Sequence, residues 1–131
     1  MQNIVFLDRQ SLKAELRAPS FAHAWTEHVQ THPDQVVQRL QDATVAITNK
    51  VPIRRDTLAQ LPKLKLIAMA ATGYDVIEID ACRERGVAVA NIRNYAVHTV
   101  PEHAFALIFA LRRNLIAYRD EVLKGRWQTE E

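Results

Sequence analysis

The stretch Lys63 to Arg113, KLKLIAMAATGYDVIEIDACRERGVAVANIRNYAVHTVPEHAFALIFALRR, decides the fold. Leu64 to Ala71 is an apolar run of strand length, and Thr72-Gly73-Tyr74 breaks it as a loop. Ile77 to Arg85 predicts a helix closed by Gly86, in the position where a left-handed residue commonly ends a helix. Val87 to Ala90 follows at once as a further strand. Thr99-Val100-Pro101-Glu102 then has the spacing of a capping box, with proline tolerated in the first turn of a long apolar helix. Strand, loop, helix and strand joined this tightly describe a parallel βαβ unit.

Upstream, the same pattern repeats. Ile4-Val5-Phe6-Leu7 reads as a first buried strand ending at Asp8, and Ser11 is placed to cap a helix over Leu12 to Leu16, ended by Pro19. Ala24 to Val29 is a second strand. Thr31 as N-cap and Pro33 in the first turn start a helix with Val36, Val37 and Leu40 inward. Thr44 to Thr48 (TVAIT) is β-branched and buried, a third strand. Arg54 to Leu61 is a short helix stopped by Pro62. Alternating strands and helices predict an α/β fold: a flavodoxin-like, doubly wound, five-stranded parallel sheet of order 2-1-3-4-5.

The helix after Thr99 is different in kind. Val100, Ala104, Leu107, Ile108 and Leu111 form one face, while Phe105 and Phe109 project from another. A helix apolar nearly all round is expected to bury more than one side. A last helix, Ile116 to Lys124, ends at Gly125.

Bulk properties narrow the function. At 131 residues, 48% hydrophobic and 24% charged, the chain has the composition of a soluble globular domain. A net charge of +2 without a Lys/Arg block argues against nucleic acid, and the longest clean apolar run, Ala104 to Leu111, is too short for a membrane span. The first ten residues carry no basic leader, so the cytoplasm is the expected compartment. A single cysteine, Cys82, excludes an internal disulfide and a multi-cysteine metal site. His98 and His103 stand five apart, the wrong spacing for one metal on a helical face.

Ligands of open α/β sheets bind outside the carboxyl ends of the strands. Asp8, the segment Thr48 to Val51 and the loop Ala71 to Tyr74 converge there. Gly73 would let the backbone turn and offer bare N–H groups to a small carboxylate, though a turn glycine needs no ligand. The acidic residues Asp75, Glu78 and Asp80 open a helix, where the helix dipole accounts for them without acid–base chemistry.

Together TGYD, RERGVAVAN and VPEHAFALIFALRR resemble the substrate-binding domain of the D-isomer-specific 2-hydroxyacid dehydrogenases, glycerate dehydrogenases (hydroxypyruvate reductases) above all. The likeness is weak before Val45 and good from Lys63 to Gln128. It implies that main-chain amides of Thr72 and Gly73, beside Tyr74, hold the carboxylate of a small 2-keto or 2-hydroxy acid, and that Asn49, Lys50 and Val51 wall the same pocket. It also implies that Thr99 faces the NAD(H) or NADP(H) cofactor, although Thr99 serves equally well as a helix cap. The expected organisation is a substrate-binding domain over 1–97 and interdomain or dimerisation helices over 98–131, with a homodimer formed through the 99–113 helix.

The departures from that family shape the functional expectation. Its phosphate-cradling G-x-G-x-x-G cannot be built from Gly73, Gly86 and Gly125, and its catalytic arginine, glutamate and histidine have no counterparts here. The expectation is therefore an N-terminal substrate-domain portion without its Rossmann domain and inactive alone, or else a free-standing carboxylate-binding or regulatory module. A receiver-type signalling domain shares the sheet plan but needs acidic residues that Asn49 and an unaccompanied Asp8 do not supply.

Overall fold

Side chains alternate across five parallel strands in the computed structural model, which describes residues 1–126. The strands are β1 (Gln2–Phe6), β2 (His23–Glu27), β3 (Val45–Thr48), β4 (Leu66–Met69) and β5 (Ala88–Ala90). Their order is β2-β1-β3-β4-β5, as the alternating pattern predicts. Val5, Ala46 and Ile67 point to one face, where they join Val36 and Leu40 of helix α1 (Val36–Leu40), Leu58 of α2 (Arg55–Ala59), and Ala81 and Cys82 of α3 (Ile79–Glu84) in one core. Register places Ile4, Val45, Leu66 and Ala88 in a row on the other face, and Phe6, Ile47, Ala68 and Ala90 in the next row. Each aliphatic side chain fully withdrawn from water contributes roughly 1.5–3 kcal/mol, so the helix-covered face carries most of the stabilisation.

Two compact units are present. The first is Met1–Arg93, the sheet with α1 to α3. The second begins at Asn94 and contains α4 (Thr99–Arg112) and α5 (Leu115–Leu123), joined by Asn114 in the left-handed conformation (φ 53°). No residue of either helix is buried, and Phe105 and Phe109 stack with ring centroids 6.2 Å apart. The expected 98–131 portion runs on into residues 127–131, which lie outside the described residues.

Three local expectations fail, each for a hydrogen-bonding reason. No helix forms over Leu12 to Leu16: a single 3-10 turn, Arg9–Ser11, gives way to extended backbone at Leu12. The Arg9 guanidinium captures the carbonyls of Leu12 and, at 2.9 Å, Ala14, which a helix would have used. Ser11 therefore caps nothing. Thr31 is not the N-cap before α1, because its hydroxyl donates to the Leu7 carbonyl; His32 holds that place, with its N–H donating to Gln35 Oε1 at 3.1 Å. Thr99 does not cap α4 either. The chain already turns helically at His98, and the Val100 N–H finds the Ala96 carbonyl at 3.2 Å. Elsewhere the punctuation holds: Pro33 opens a 3-10 turn that runs into α1, and Gly86 (φ 69°) and Gly125 (φ 77°) follow α3 and α5 in the left-handed region.

Candidate anion site at the strand ends

Parallel β1, β3 and β4 lie side by side, so the segments that leave their carboxyl ends are neighbours. The loop after β3 is closed on itself. Asp8, buried just past β1, accepts the Asn49 N–H at 3.0 and 3.2 Å and the Lys50 N–H at 2.7 Å. The Val51 N–H donates to Thr48 Oγ1 at 3.0 Å, and its side chain lies in the core. All three amides of this loop are engaged inside the protein, which leaves none for a ligand. What the loop does present is the exposed Lys50 side chain, whose ammonium has no partner among the described residues.

The loop after β4 is the opposite case. Ala70 still donates to the Thr48 carbonyl at 2.8 Å, but the N–H groups of Thr72 and Gly73 meet no acceptor among the described residues. Thr72, Gly73 and Tyr74 are all exposed. Exposed, adjacent main-chain donors on a fixed loop are the elements of an anion-binding concavity. Gly73 is not required by the turn itself. It lacks a positive φ, and a Cβ there would meet Asp75 Oδ1 at an ordinary 3.4 Å. Its contribution is the absence of a side chain beside the donors.

This loop is held on both flanks. Toward β5, the Ile92 N–H donates to the Ala71 carbonyl at 3.0 Å, Asn91 Nδ2 donates to the Thr72 carbonyl at 2.8 Å, and the Thr72 hydroxyl donates to the Ile92 carbonyl at 2.8 Å. Toward α2, Ile53 pairs with Ile77 as an isolated parallel bridge, and Arg54 Nη1 donates to the Asp75 carbonyl at 2.9 Å. Arg55 fastens the same region, bonding Glu78 Oε1 at 3.0 Å and reaching Glu84. That hydrogen bond holds the Glu84 carboxyl below its usual range and raises the Arg55 guanidinium, so both stay charged. Glu78 thus serves Arg55, Asp80 stands in the first turn of α3 and pairs with Arg83, and neither points to proton transfer.

Asn91 was not singled out from sequence. An asparagine directly after the last residue of a strand, at the ligand-binding end of the sheet, was the available signal.

A depression of about 390 Å³ lies along α3 and β5, with Tyr74, Asn91 and Arg93 on its wall and Cys82, Val87 and Val89 among its lining. Its lining mixes the aliphatic Ile79, Val87 and Val89 with the guanidinium-bearing Arg83 and Arg93. Burial, with a smaller contribution from Glu78, pushes the Cys82 thiol above its ordinary value and keeps it protonated. No group of acidic, histidine or cysteine side chains suited to a metal occurs among the described residues. Thr99 begins α4 in the second unit, and its hydroxyl makes no hydrogen bond among the described residues.

Comparison with known proteins agrees with the fold and the motifs. The model of the D-isomer specific 2-hydroxyacid dehydrogenase catalytic domain matches residues 4–131. A glycerate dehydrogenase of Methylorubrum extorquens is 52% identical over 127 residues, which are 96% of this chain and 40% of that protein. An acyclic imino acid reductase, solved with NADPH and D-Arg, superposes with a TM-score of 0.74 at 20% identity, covering 95% of this chain and 41% of its own. The D-lactate dehydrogenase of Aquifex aeolicus, solved with NAD and lactic acid, gives 0.65 at 24% identity, covering 99% and 39% respectively. The chain thus spans about two fifths of the length of the glycerate dehydrogenase it matches. With the family model matched along nearly the whole sequence, this chain belongs to the D-isomer specific 2-hydroxyacid dehydrogenase family.

Proposed function

We propose that this chain is the substrate-holding portion of a glycerate dehydrogenase-like, NAD(P)-dependent 2-hydroxyacid oxidoreductase. In this reading the N–H groups of Thr72 and Gly73 bind the carboxylate of a small 2-keto or 2-hydroxy acid. One observation carries the assignment: these two donors are exposed and meet no acceptor among the described residues, while every amide of the 49–51 loop is already engaged. Lys50, unpaired among the described residues, adds a positive charge at the neighbouring strand end, which attracts an anion without fixing its orientation. Tyr74 supplies an exposed polar group beside the donors, whereas the Thr72 hydroxyl is held by the Ile92 carbonyl. Asn49 acts through the loop's internal bonding rather than by touching substrate, and Val51 acts only as core.

A nicotinamide cofactor does not fit the residues in hand. Gly86 and Gly125 follow helices instead of preceding them, and Gly73 stands alone, so no glycine turn feeds pyrophosphate into a helix N-terminus among the described residues. Proton transfer and hydride transfer are accordingly not assigned to these side chains. The proposed contribution is to bind and orient the acid.

Titration of the isotopically labelled chain with tartronate tests the reading. Amide shifts should centre on Ala71 to Tyr74, with an affinity near 1 mM, equivalent to about −4 kcal/mol. Gly73→Ala, whose new Cβ fits, should leave the melting temperature intact and weaken binding by covering the donors. Shifts confined to other segments would overturn the assignment. Purified chain should not oxidise NADH with hydroxypyruvate above a blank, once contaminating host dehydrogenase is excluded.

A further inference from the structure

We infer that Asn91 is a positioning residue for the carboxylate site, fixing the direction in which the Gly73 N–H points; the inference rests on the proposed carboxylate site. A trans peptide unit is planar, with its C=O and N–H directed oppositely. No peptide bond among the described residues is cis. Fixing a carbonyl therefore fixes the N–H of the next residue.

Along a parallel strand, successive peptide units face alternate neighbours. Ala70 follows this rule, its N–H meeting the Thr48 carbonyl on the β3 side. Two peptide units on, the carbonyl of Ala71 is taken by the Ile92 N–H on the β5 side, so the Thr72 N–H points back toward β3 as alternation requires. Continued alternation would send the Gly73 N–H toward β5, where it could not act with Thr72. Asn91 prevents this. Its Nδ2 takes the Thr72 carbonyl at 2.8 Å, giving the 72–73 peptide the same sense as the 71–72 peptide. Two consecutive N–H groups then lie on one side, away from Asn91 and toward the strand end that carries Lys50. That arrangement can bind one carboxylate with both donors.

A carbonyl-to-carboxamide bond is well suited to this task. Asn91 is half-buried just after β5, where the last strand residues limit its motion, and its amide donates without adding charge beside an anion. Aspartate at this position would repel both the Thr72 carbonyl and the ligand. Leucine would fill the same volume with no donor.

The test uses the whole chain, tartronate as probe, and the variants Asn91→Leu, Asn91→Ser and Asn91→Gln. Asn91→Leu and Asn91→Ser should each weaken tartronate binding about fivefold, the effect of one lost orienting hydrogen bond. Asn91→Gln, which retains the amide, should recover part of the loss; a merely space-filling role would instead favour leucine. In ligand-free chain, residual dipolar couplings should show the Gly73 N–H vector reoriented in the leucine and serine variants and preserved with glutamine. Tartronate affinity unchanged in Asn91→Leu, with wild-type shifts still at Ala71 to Tyr74, overturns the inference while leaving the carboxylate site standing. Absence of those shifts in wild type overturns the site itself, and the ligand-free couplings then decide the orienting role alone. Should Asn91→Leu fold poorly, the comparison of serine with glutamine settles the point, equal behaviour of the two overturning it.

Discussion

Replacing Asp8 with alanine should cost this fold about 3 kcal/mol through two orphaned amides rather than through lost packing. The Asp8 side chain is buried and receives the Asn49 and Lys50 N–H groups, the latter at 2.7 Å. Hydrogen bonds to a charged acceptor are worth about 1.5–3 kcal/mol each, but the Asn49 bond is split between both oxygens and is the weaker of the two. Part of the loss is recovered when water reaches the part-buried amides, which brings the sum to about 3 kcal/mol. For a chain of this length that corresponds to a fall of about 10 °C in melting temperature. Urea unfolding followed by circular dichroism measures it directly, with an unchanged denaturant slope expected because the native fold is kept. Asp8→Asn retains one acceptor and should lose about half as much. A loss below about 1 kcal/mol for alanine would show that these amides are as well satisfied by water, and the closed-loop account of residues 49–51 would fall.

Other expectations are open to direct measurement. Ile67→Ala, at a fully buried position in β4, should destabilise by about 3–4 kcal/mol, read from the same unfolding curves. Burial, then the neighbouring Arg39 guanidinium, hold the His28 imidazole below its ordinary value. The unfolded chain therefore takes up this proton first as pH falls, so the stability is present above about pH 6.5 and lost as pH drops through the folded value. Wild type should lose stability relative to His28→Gln between pH 7 and 5, and parallel curves would refute it. Phe105 and Phe109 are 58% and 57% exposed on α4, and large side chains left in water forfeit roughly 1.5–3 kcal/mol each relative to burial. Light scattering at tens of micromolar should accordingly find a dimer or larger species, shifted toward monomer by Phe105→Ser or Phe109→Ser; a monomeric wild type would contradict this.

What could be read from sequence was what local chemistry determines. TVAIT makes a strand because β-branched residues suit a pleated, buried surface, and Gly86 ends a helix because the left-handed conformation is cheap only for it. The strand order was expected as the usual arrangement of five such units, and the sheet has it. The failures lie where a hydrogen bond outside the regular helix and strand pattern claims the main chain. Arg9 unwinds an expected helix by taking two carbonyls, Asp8 closes a loop 41 residues away, and Asn91 reaches back 19 residues to Thr72. No periodicity signals such partners. At the candidate site, Thr72, Gly73 and Lys50 stand exposed at neighbouring strand ends, whereas Asn49 and Val51 turned inward because Asp8, Thr48 and the core had a stronger claim on them.

The strand order also prescribes how the chain can assemble as it is made. Once β1 and β2 have paired, β3 joins the free side of β1, β4 joins β3, and β5 joins β4. Every later strand is laid on one advancing margin, in the order in which it leaves the ribosome, and none must be threaded between two already in place. Each addition closes a loop of modest length, so the entropy lost per step stays small. Growth of the margin halts at β5, a strand of three residues with alanine at both ends, which offers the next chain little to pair with. Such an order lets the sheet grow from its first strands outward without any strand being inserted between two others.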